Sequence, residues 1–107
     1  MASFYKNAKV DLTSTDVTTL YTAPAATTAI FRSLVVADDS GSTSTITVTV
    51  TDSASAVFVL YNVKATTANG TAELLTQPLV IQESEVLKVT AANANRLHVI
   101  GSYLEIT

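Results

Sequence analysis

The chain contains a stretch in which apolar and polar residues alternate without interruption, from Thr45 to Thr51. Successive side chains of a β-strand point to opposite faces, so Ile46, Val48 and Val50 share one face and the threonines share the other. β-branched residues at every position disfavour a helix, and the spacing does not fit a helical stripe. The pattern predicts a half-buried strand that needs partner strands and a second layer.

Similar stretches flank this one on both sides. They cover residues 8–12, 17–22, 29–37, 56–63, 71–76, 85–91 and 96–106, and residues 79–81 add a short extended piece. Clusters of Asp, Ser, Asn and Gly, together with the prolines, separate them, and these residues favour turns. Strands at this spacing with no credible helix are typical of sandwiches and barrels. The sequence therefore predicts an all-β fold: an antiparallel β-sandwich of jelly-roll or immunoglobulin-like type with about eight strands.

The strand at 29–37 has apolar residues on both faces. Period two places Ile30 and Leu34 on one face and Phe31 on the other, with Arg32 interrupting the first set. The acidic and serine-rich turn that follows leads into the alternating strand. We therefore predict that these two strands form a β-hairpin with a long loop.

The segment 56–63 (Ala-Val-Phe-Val-Leu-Tyr-Asn-Val) is also apolar on both sides. A strand of this kind needs cover on both faces. We expect it either at the centre of a sheet, covered by a neighbouring layer, or at a contact between subunits.

The length of 107 residues fits one domain. We predict a single domain over residues 1–107, with residues 1–7 as a candidate N-terminal arm. The beginning of the sequence lacks the charged segment and apolar run of a secretory signal. Its apolar runs are also far shorter than the roughly 20 residues that span a bilayer. We expect a soluble chain that is made and used without export.

Few residues carry charge. The net charge is −3 and charged residues make up 14% of the chain, against about 25% in average domains. Lys and Arg are spread singly, so no basic patch is expected to attract nucleic acid or an anionic membrane. Sparse charge with 48% apolar residues suits a protein partly covered by other subunits. The absence of cysteine excludes disulfides, thiolate metal sites and a cysteine nucleophile.

No residue pattern points to catalysis or to a cofactor. His98 is the single histidine, and a Ser-His-Asp arrangement stays open because triads are defined by geometry. However, no Gly-x-Ser-x-Gly elbow marks a nucleophile. Glu83 and Glu85 lie at a turn, and nothing places them across a cleft as glycoside hydrolysis requires. We predict a structural or surface histidine, no catalytic site and no cofactor.

Two further motifs are better explained as turns. Asp38-Asp39-Ser40-Gly41 resembles a fragment of a calcium loop but lacks the ligand number and spacing of such a site. Asn69-Gly70-Thr71 matches the N-glycosylation pattern, but a chain without export does not meet the glycosylation machinery. We predict solvated turns at both positions and no metal site.

The aromatic residues are spread along the chain. They are Phe4, Tyr5, Tyr21, Phe31, Phe58, Tyr61 and Tyr103. Such a distribution is typical of core and interface anchors. An aromatic platform for carbohydrate stays open as an alternative.

Several segments together resemble one group of proteins. They share a strand-and-turn pattern rich in Thr, Ala and Val, and they are Leu20-Tyr21-Thr22-Ala23-Pro24, Thr28-Ala29-Ile30, Leu34-Val35-Val36-Ala37, Pro78-Leu79-Val80-Ile81, Val86-Leu87-Lys88-Val89-Thr90-Ala91 and His98-Val99-Ile100-Gly101-Ser102-Tyr103-Leu104-Glu105-Ile106. Over nearly its whole length the chain resembles the small Thr/Ala-rich all-β structural proteins of tailed bacteriophages. Gln77 and Ser84-Glu85 depart from the pattern, because members often have Gly before the Pro-Leu and Gly-Asp in the later turn.

The resemblance implies a virion structural protein and not an enzyme. Our first expectation is a capsid decoration, or cement, protein that is assembled in the host cytoplasm and stabilises the head by bridging capsid subunits. Its expected partners are further copies of itself, as a homotrimer, and the major capsid protein or other virion proteins. The alternatives are a neck, tail, baseplate or fibre protein, or a carbohydrate-binding module. The predicted contact residues are Phe4, Tyr5, Val57, Val59, Tyr61, Val99 and Tyr103.

Overall fold

The computed structural model describes residues 2–107, so Met1 of the candidate arm lies outside the described residues. This range forms nine strands and no helix, and it accordingly contains no helix that could cross a membrane. The strands are β1 (Ser3–Leu12), β2 (Thr18–Thr22), β3 (Thr28–Asp38), β4 (Thr45–Thr51), β5 (Val57–Ala65), β6 (Thr71–Glu73), β7 (Leu79–Ile81), β8 (Val86–Ala91) and β9 (Leu97–Ile106).

The strands pair antiparallel in two sheets. Sheet A has the order β1-β9-β3, and β6 and β7 share the far edge of β3; sheet B has the order β2-β8-β4-β5. This is the connectivity of a jelly roll in which β6 and β7 together take the place of one strand. The predicted single-domain antiparallel β-sandwich is confirmed, and the strand order matches its jelly-roll form.

Side chains from both sheets meet in one core. The largest fully buried ones are Phe31, Leu12, Leu34, Ile46, Leu74, Ile81, Leu87, Leu97, Val48, Val89 and Val99. The alternating strand β4 contributes Ile46 and Val48, while its threonines lie on the opposite face and are half-buried. The half-buried strand predicted from the alternation is therefore confirmed.

β3 contains a bulge at Arg32, where its register with β9 shifts between Phe31 and Ser33. One extra residue changes the face that the following side chains occupy. Phe31 and Leu34 therefore both point into the core and are fully buried. Ile30 lies on the opposite face of the sheet. The predicted placement of Ile30 and Leu34 on one face is wrong for this reason.

The bulge also affects the strand that faces it. Glu73, at the end of β6, accepts hydrogen bonds from the Ser33 hydroxyl at 2.6 Å and the Leu34 N–H at 2.7 Å. Partial burial opposes ionisation, but these hydrogen bonds hold the pKa of Glu73 below its ordinary value. Pro78 has no N–H to donate, and regular pairing resumes only after it, at β7.

β3 and β4 do not form the predicted hairpin, because they belong to different sheets. The turn between them carries the chain across the sandwich. The buried Asp38 carboxylate accepts hydrogen bonds from the N–H and the hydroxyl of Ser40, at 2.9 and 2.8 Å. The backbone N–H of Ser40 is the main cause of the lowered pKa of Asp38. The acidic motif thus builds a turn, and each strand pairs with partners that are distant in sequence.

β1 begins earlier than predicted. Residues 3–7, predicted as part of a candidate arm, pair with the end of β9, so that Ser3 faces Ile106 and Asn7 faces Ser102. Backbone hydrogen bonds between residues 2 and 107, at 3.2 and 2.9 Å, continue this pairing past the strands. β9 offers a pairing edge to β1 over the whole length of β1. Because β9 lies at the other end of the sequence, a local pattern does not reveal that residues 3–7 have this partner.

Candidate functional site

The outer face of sheet A carries a row of apolar side chains that no third layer covers within residues 2–107. Register pairs place Tyr5, Leu104, Ile30 and Val80 in one row across four strands. Ile100, 43% exposed, lies on the same face in a second row. An antiparallel sheet with one face on a core normally has a polar outer face. The neighbouring row of Asn7, Ser102 and Ser33 is polar. Within this surface, called here the outer face of sheet A, the apolar row is therefore the part suited to being covered.

The outer face of sheet B is different. The side chains that its two central strands present there are Thr45, Thr47, Thr49, Thr51, Val86, Lys88 and Thr90. Hydroxyl and ammonium groups hydrogen-bond well to water. Apart from Val86, the centre of sheet B thus presents no apolar side chain outward, so the apolar row of sheet A is the better candidate for a contact with a partner.

An open depression of about 620 Å³ lies beside the apolar row on sheet A. Its lining residues are Tyr5, Lys6, Asn7, Arg32, Ser102 and Tyr103. Arg32 projects from the β3 bulge, and its guanidinium provides a fork of donors for a carboxylate or for hydroxyl groups. Tyr5, 80% exposed, adds an aromatic surface. The depression can therefore bind a polar group at the edge of an apolar contact.

β5 forms a second apolar surface, at the free edge of sheet B. It pairs with β4 alone. Its exposed apolar side chains, called here the β5 surface, are Val57, Phe58, Val59, Leu60 and Val63, between 37% and 60% exposed. The predicted alternative of a sheet-centre position is wrong, because β4 and β8 occupy the centre of this sheet. The alternative of a subunit contact stays a prediction.

The backbone of β5 is irregular. Its register with β4 shifts between Val48 and Thr49 and again between Ile46 and Val48. Val63 has a φ of 52°, which is an outlier for a β-branched residue. Bulges interrupt the hydrogen-bonding edge of a strand and disfavour the addition of another strand. The β5 surface is therefore suited to packing through side chains.

Four of the predicted contact residues are exposed. Phe4 and Tyr5 lie in β1, where they are 50% and 80% exposed. Val57 and Val59 belong to the β5 surface. β1 and β2 are adjacent edge strands, and β5 lies at the other end of sheet B from β2. The structure thus places these two pairs on opposite sides of the sandwich, and they cannot form one continuous site.

The other three predicted contact residues are buried or half-buried within the subunit. Val99 and Tyr103 are 0% and 7% exposed, so their predicted role at a contact is corrected to packing between the sheets. The outward face of β9 carries Ile100 instead, because strand residues alternate between faces. Tyr61 is half-buried, and its hydroxyl donates a hydrogen bond to the Leu74 carbonyl.

A buried carboxylate links the two sheets. Glu105 accepts a hydrogen bond from the Lys6 ammonium at 2.8 Å and another from the Tyr21 hydroxyl at 2.6 Å. The Lys6 bond chiefly, and the Tyr21 bond next, hold the pKa of Glu105 below its ordinary value, although burial acts in the opposite direction. Burial is also the main cause of the raised pKa of Tyr21. Because both carboxylate oxygens are engaged, this cluster fixes β2 to sheet A and holds no free acid or base.

His98 lies near the opposite end of β9. Its Nε2 atom is 3.2 Å from Oδ1 of Asp11, and its Nδ1 atom is 3.8 Å from Oδ2 of Asp39. Because both ring nitrogens face carboxylates, neither is directed at a serine hydroxyl as a triad requires. In the described part of the chain no three His, Cys, Asp or Glu side chains are grouped to hold a metal ion.

The remaining candidate residues serve local turns. Glu83 accepts a hydrogen bond from the Ala26 N–H at 2.7 Å, and Glu85 accepts one from the Gln82 N–H at 2.8 Å. Asn69 has a φ of 54° in the predicted Asn-Gly turn. None of these contacts places two carboxylates across a cleft.

The comparisons with known proteins gave no match. No family model, no curated protein and no solved structure is significantly similar to this chain. The resemblance to phage structural proteins therefore stays a prediction, and function has to be argued from the apolar surfaces themselves.

Sequence reasoning missed the main residues of the outer face of sheet A. It selected β9 as a contact element but named Val99 and Tyr103, on the face that the core uses. Both faces of β9 are apolar in sequence, so periodicity alone does not tell them apart. Gly101 was the available signal, because its lack of a side chain leaves room on the core face for the ring of Phe31.

Proposed function

We propose that this chain is a structural subunit of a bacteriophage virion, and more specifically a capsid decoration protein that stabilises the head by bridging capsid subunits. The observation that carries the proposal is the uncovered row of apolar side chains, Tyr5, Leu104, Ile30 and Val80, on the outer face of sheet A. Large exposed apolar surfaces on a compact protein mark sites of interaction with other macromolecules. The resemblance of the sequence to phage structural proteins supplies the class of partner.

The size of the outer face of sheet A supports a stable contact. Strands lie about 4.8 Å apart and rise about 3.3 Å per residue, so four strand positions and the ten residues of β9 span on the order of 600 Å². Specific protein interfaces bury roughly 800 Å² per partner. The whole outer face, its polar side chains included, therefore supplies most of the required area. Arg32, beside the apolar row, adds a charged contact.

The proposed mechanism is binding and not chemistry. The subunit binds the assembled shell through the outer face of sheet A and bridges neighbouring capsid subunits. A ligand that binds only the assembled state stabilises that state by mass action. The carboxylates and the histidine discussed above take part in contacts within the fold, which supports a structural role.

The proposal is tested on particles of the phage that encodes the chain. Mass spectrometry of purified virions is expected to find this chain in many copies per particle, and a map of the particle is expected to locate it on the head. A low copy number at the neck, tail, baseplate or fibre would support the alternative virion location. Absence from the particle would overturn both.

A matched pair of variants tests the face. Ile100→Lys places a charge on the outer face of sheet A, and Thr90→Lys places one on the outer face of sheet B. Phage heads that lack the protein are expected to bind the wild type and the Thr90→Lys variant. They are expected not to bind the Ile100→Lys variant. Equal binding of both variants would contradict the assignment of the face.

A second candidate function is carbohydrate binding, and the depression on sheet A favours it specifically. Tyr5 can stack on a sugar ring, while Asn7, Arg32 and Ser102 can bind hydroxyl groups. A glycan array probed with the purified chain tests this function. Binding that Tyr5→Ala abolishes, combined with absence of the chain from virions, would favour it over the structural role.

A further inference from the structure

We infer that the partner of the outer face of sheet A presents a carboxylate to Arg32, and that this ion pair fixes the orientation of the subunit on the shell. The inference deepens the proposed function and rests on it for the identity of the surface that is bound. It adds the chemistry of the partner, which is an acidic side chain of a virion protein with apolar side chains next to it.

Arg32 owes its position to the bulge in β3. The register shift between Phe31 and Ser33 leaves Arg32 without an opposite residue in β9, and a bulge re-aims the side chain that it carries. Arg32 is exposed and lines the depression on sheet A. β3 pairs with β9 on one side and with β6 and β7 on the other, so neighbouring strands hold the backbone in place. The bulge therefore sets a positioned cation beside the apolar row.

No acidic group of the subunit itself neutralises this cation. Within residues 2–107 Arg32 takes part in none of the ion pairs, and no Asp or Glu lines the depression. Two carboxylates of sheet A have partners elsewhere. Glu105 accepts a hydrogen bond from Lys6, and Glu73 accepts one from Ser33. The guanidinium can therefore pair with an acid from outside the subunit.

Covering the apolar row makes such an acid necessary. A partner that excludes water from Tyr5 and its neighbours in the row also excludes water from the adjacent Arg32. A cation that loses its hydration without gaining a counterion is strongly unfavourable. A partner with an apolar or basic group at this position would therefore bind poorly, whereas a carboxylate compensates the charge.

Two further side chains of the depression supply donors. Lys9 donates a hydrogen bond to the amide oxygen of Asn7 at 3.2 Å, which leaves the amide N–H groups of Asn7 for a partner. Ser102 lies opposite Asn7 in the register and adds a hydroxyl. A carboxylate accepts hydrogen bonds at both oxygens. The donors around Arg32 therefore match an acid better than a group that donates hydrogen bonds itself.

The apolar row favours a protein as the source of the acid over an acidic saccharide. Tyr5 belongs both to the depression and to the row, which continues with Leu104, Ile30 and Val80. Aliphatic side chains offer no hydrogen bonds to the hydroxyl groups of a sugar, but they pack well against apolar side chains. Arg and Tyr beside an apolar contact are typical of protein interfaces.

The ion pair is expected to provide direction more than attraction. Apolar contact is non-directional, so the row alone would allow a subunit to bind a flat apolar surface in several orientations. The guanidinium fork pairs with a carboxylate in a defined geometry. One such pair beside the row is enough to select a single orientation.

Matched charge variants test the inference on phage heads that lack the protein. Arg32→Gln is expected to weaken binding roughly tenfold or more, the usual effect of losing a hydrogen bond between charged groups. Arg32→Lys should lie between the two, because lysine keeps the charge and loses the fork. Arg32→Glu should bind least. Lys88→Gln and Lys88→Glu make the same charge changes on the outer face of sheet B and should bind like the wild type. Circular dichroism checks that each variant is folded.

Carbodiimide cross-linking identifies the partner group, because it joins a lysine amine to a carboxylate in contact with it. Heads that carry the Arg32→Lys variant are expected to yield a peptide in which residue 32 is linked to an Asp or Glu of a shell protein, as detected by mass spectrometry. Heads that are incubated with the Thr90→Lys variant should yield no link at residue 90, since this position lies on the outer face of sheet B.

The outcomes separate this inference from the proposed function. Binding that Arg32→Gln and Arg32→Glu leave unchanged, or the absence of a link between residue 32 and a shell carboxylate, would overturn the inference alone. A purified chain that prefers acidic over neutral saccharides on a glycan array, with the preference lost in Arg32→Gln, would assign the depression to a saccharide and also overturn it. A wild type that does not bind heads would instead overturn the proposed function, and this inference with it.

Discussion

The ring of Phe31 lies so close to Gly101 that a methyl group at residue 101 would come within 2.6 Å of the ring atom Cε2. Both residues belong to the central strands of sheet A, and the ring is fully buried and stacks on Tyr103. The aromatic ring thus fills the space that the glycine leaves in β9. Glycine is required here by the close approach of the ring, since its φ is ordinary.

Gly101→Ala is therefore expected to destabilise the fold. The ring of Phe31 would have to move within a packed core, and overpacking of this kind costs about 1 to 3 kcal/mol. Denaturant unfolding measures the loss. Ser102→Ala is the control, because Ser102 is exposed beside it and should change the free energy of unfolding by less than about 0.5 kcal/mol. Equal stability of the two variants would show that the ring has room to move.

Stability is expected to fall in acid, and Glu105 is expected to contribute to the fall. Its pKa is lowered in the folded chain, so the unfolded chain takes up the proton first as the pH decreases. The stabilisation is complete above the ordinary Glu pKa of about 4.3 and is lost as the pH falls through the folded value. The pKa values of Asp38 and Glu73 are shifted in the same direction.

Glu105→Gln should reduce this pH dependence. Urea unfolding at a series of pH values is expected to show a variant that is less stable than the wild type at neutral pH and less sensitive to acid. Asp16→Asn, which changes an exposed carboxylate in the turn after β1, is the control and should keep the wild-type slope. Parallel curves for the wild type and Glu105→Gln would contradict the assigned role of the Lys6 and Tyr21 hydrogen bonds.

Ser84→Gly is expected to stabilise the chain. Ser84 has a φ of 67° in a turn closed by a hydrogen bond from the Glu85 N–H to the Gln82 carbonyl at 3.0 Å. A left-handed backbone costs a non-glycine residue about 1 to 2 kcal/mol, and the extra freedom of unfolded glycine offsets roughly 0.5 to 1 kcal/mol of the gain. A small rise in melting temperature should result. Ser53→Gly, at a position without positive φ, should lower it instead.

Tyr61→Phe removes the hydroxyl that joins β5 to the segment after β6. The Leu74 carbonyl would lose its partner in a buried position, which costs about 1 to 3 kcal/mol. Thermal unfolding measures the effect. Tyr5→Phe removes a hydroxyl from a side chain that is 80% exposed, so its melting temperature should match the wild type.

The local sequence pattern correctly predicted which face of a strand is buried where the two faces differ in polarity. The strict alternation in β4 predicted its bounds and its buried face correctly, because threonine occupies one face and valine or isoleucine the other. It failed in β3, where the single extra residue at Arg32 reverses the faces. It also failed in β9, since both faces carry apolar residues and only the approach of Phe31 to Gly101 decides which one is buried.

Pairing partners were beyond the reach of the sequence. The turn after Asp38 was recognised, but whether it closes a hairpin or crosses the sandwich depends on strands more than forty residues away, as the pairing of Ile46 with Ala91 shows. The exposure of the β5 surface likewise follows from its place at an edge. A strand with apolar residues on both faces fits the centre of a sheet as well as a subunit contact, and the sequence analysis left both alternatives open.

The position of β9 between β1 and β3 imposes an order on folding. Sheet A cannot close until residues 97–106 have left the ribosome, because β1 and β3 have no contact that replaces this strand. In the nascent chain β1, whose ladder partner is β9, must therefore wait unpaired, and an unpaired strand makes protection by chaperones during synthesis an advantage.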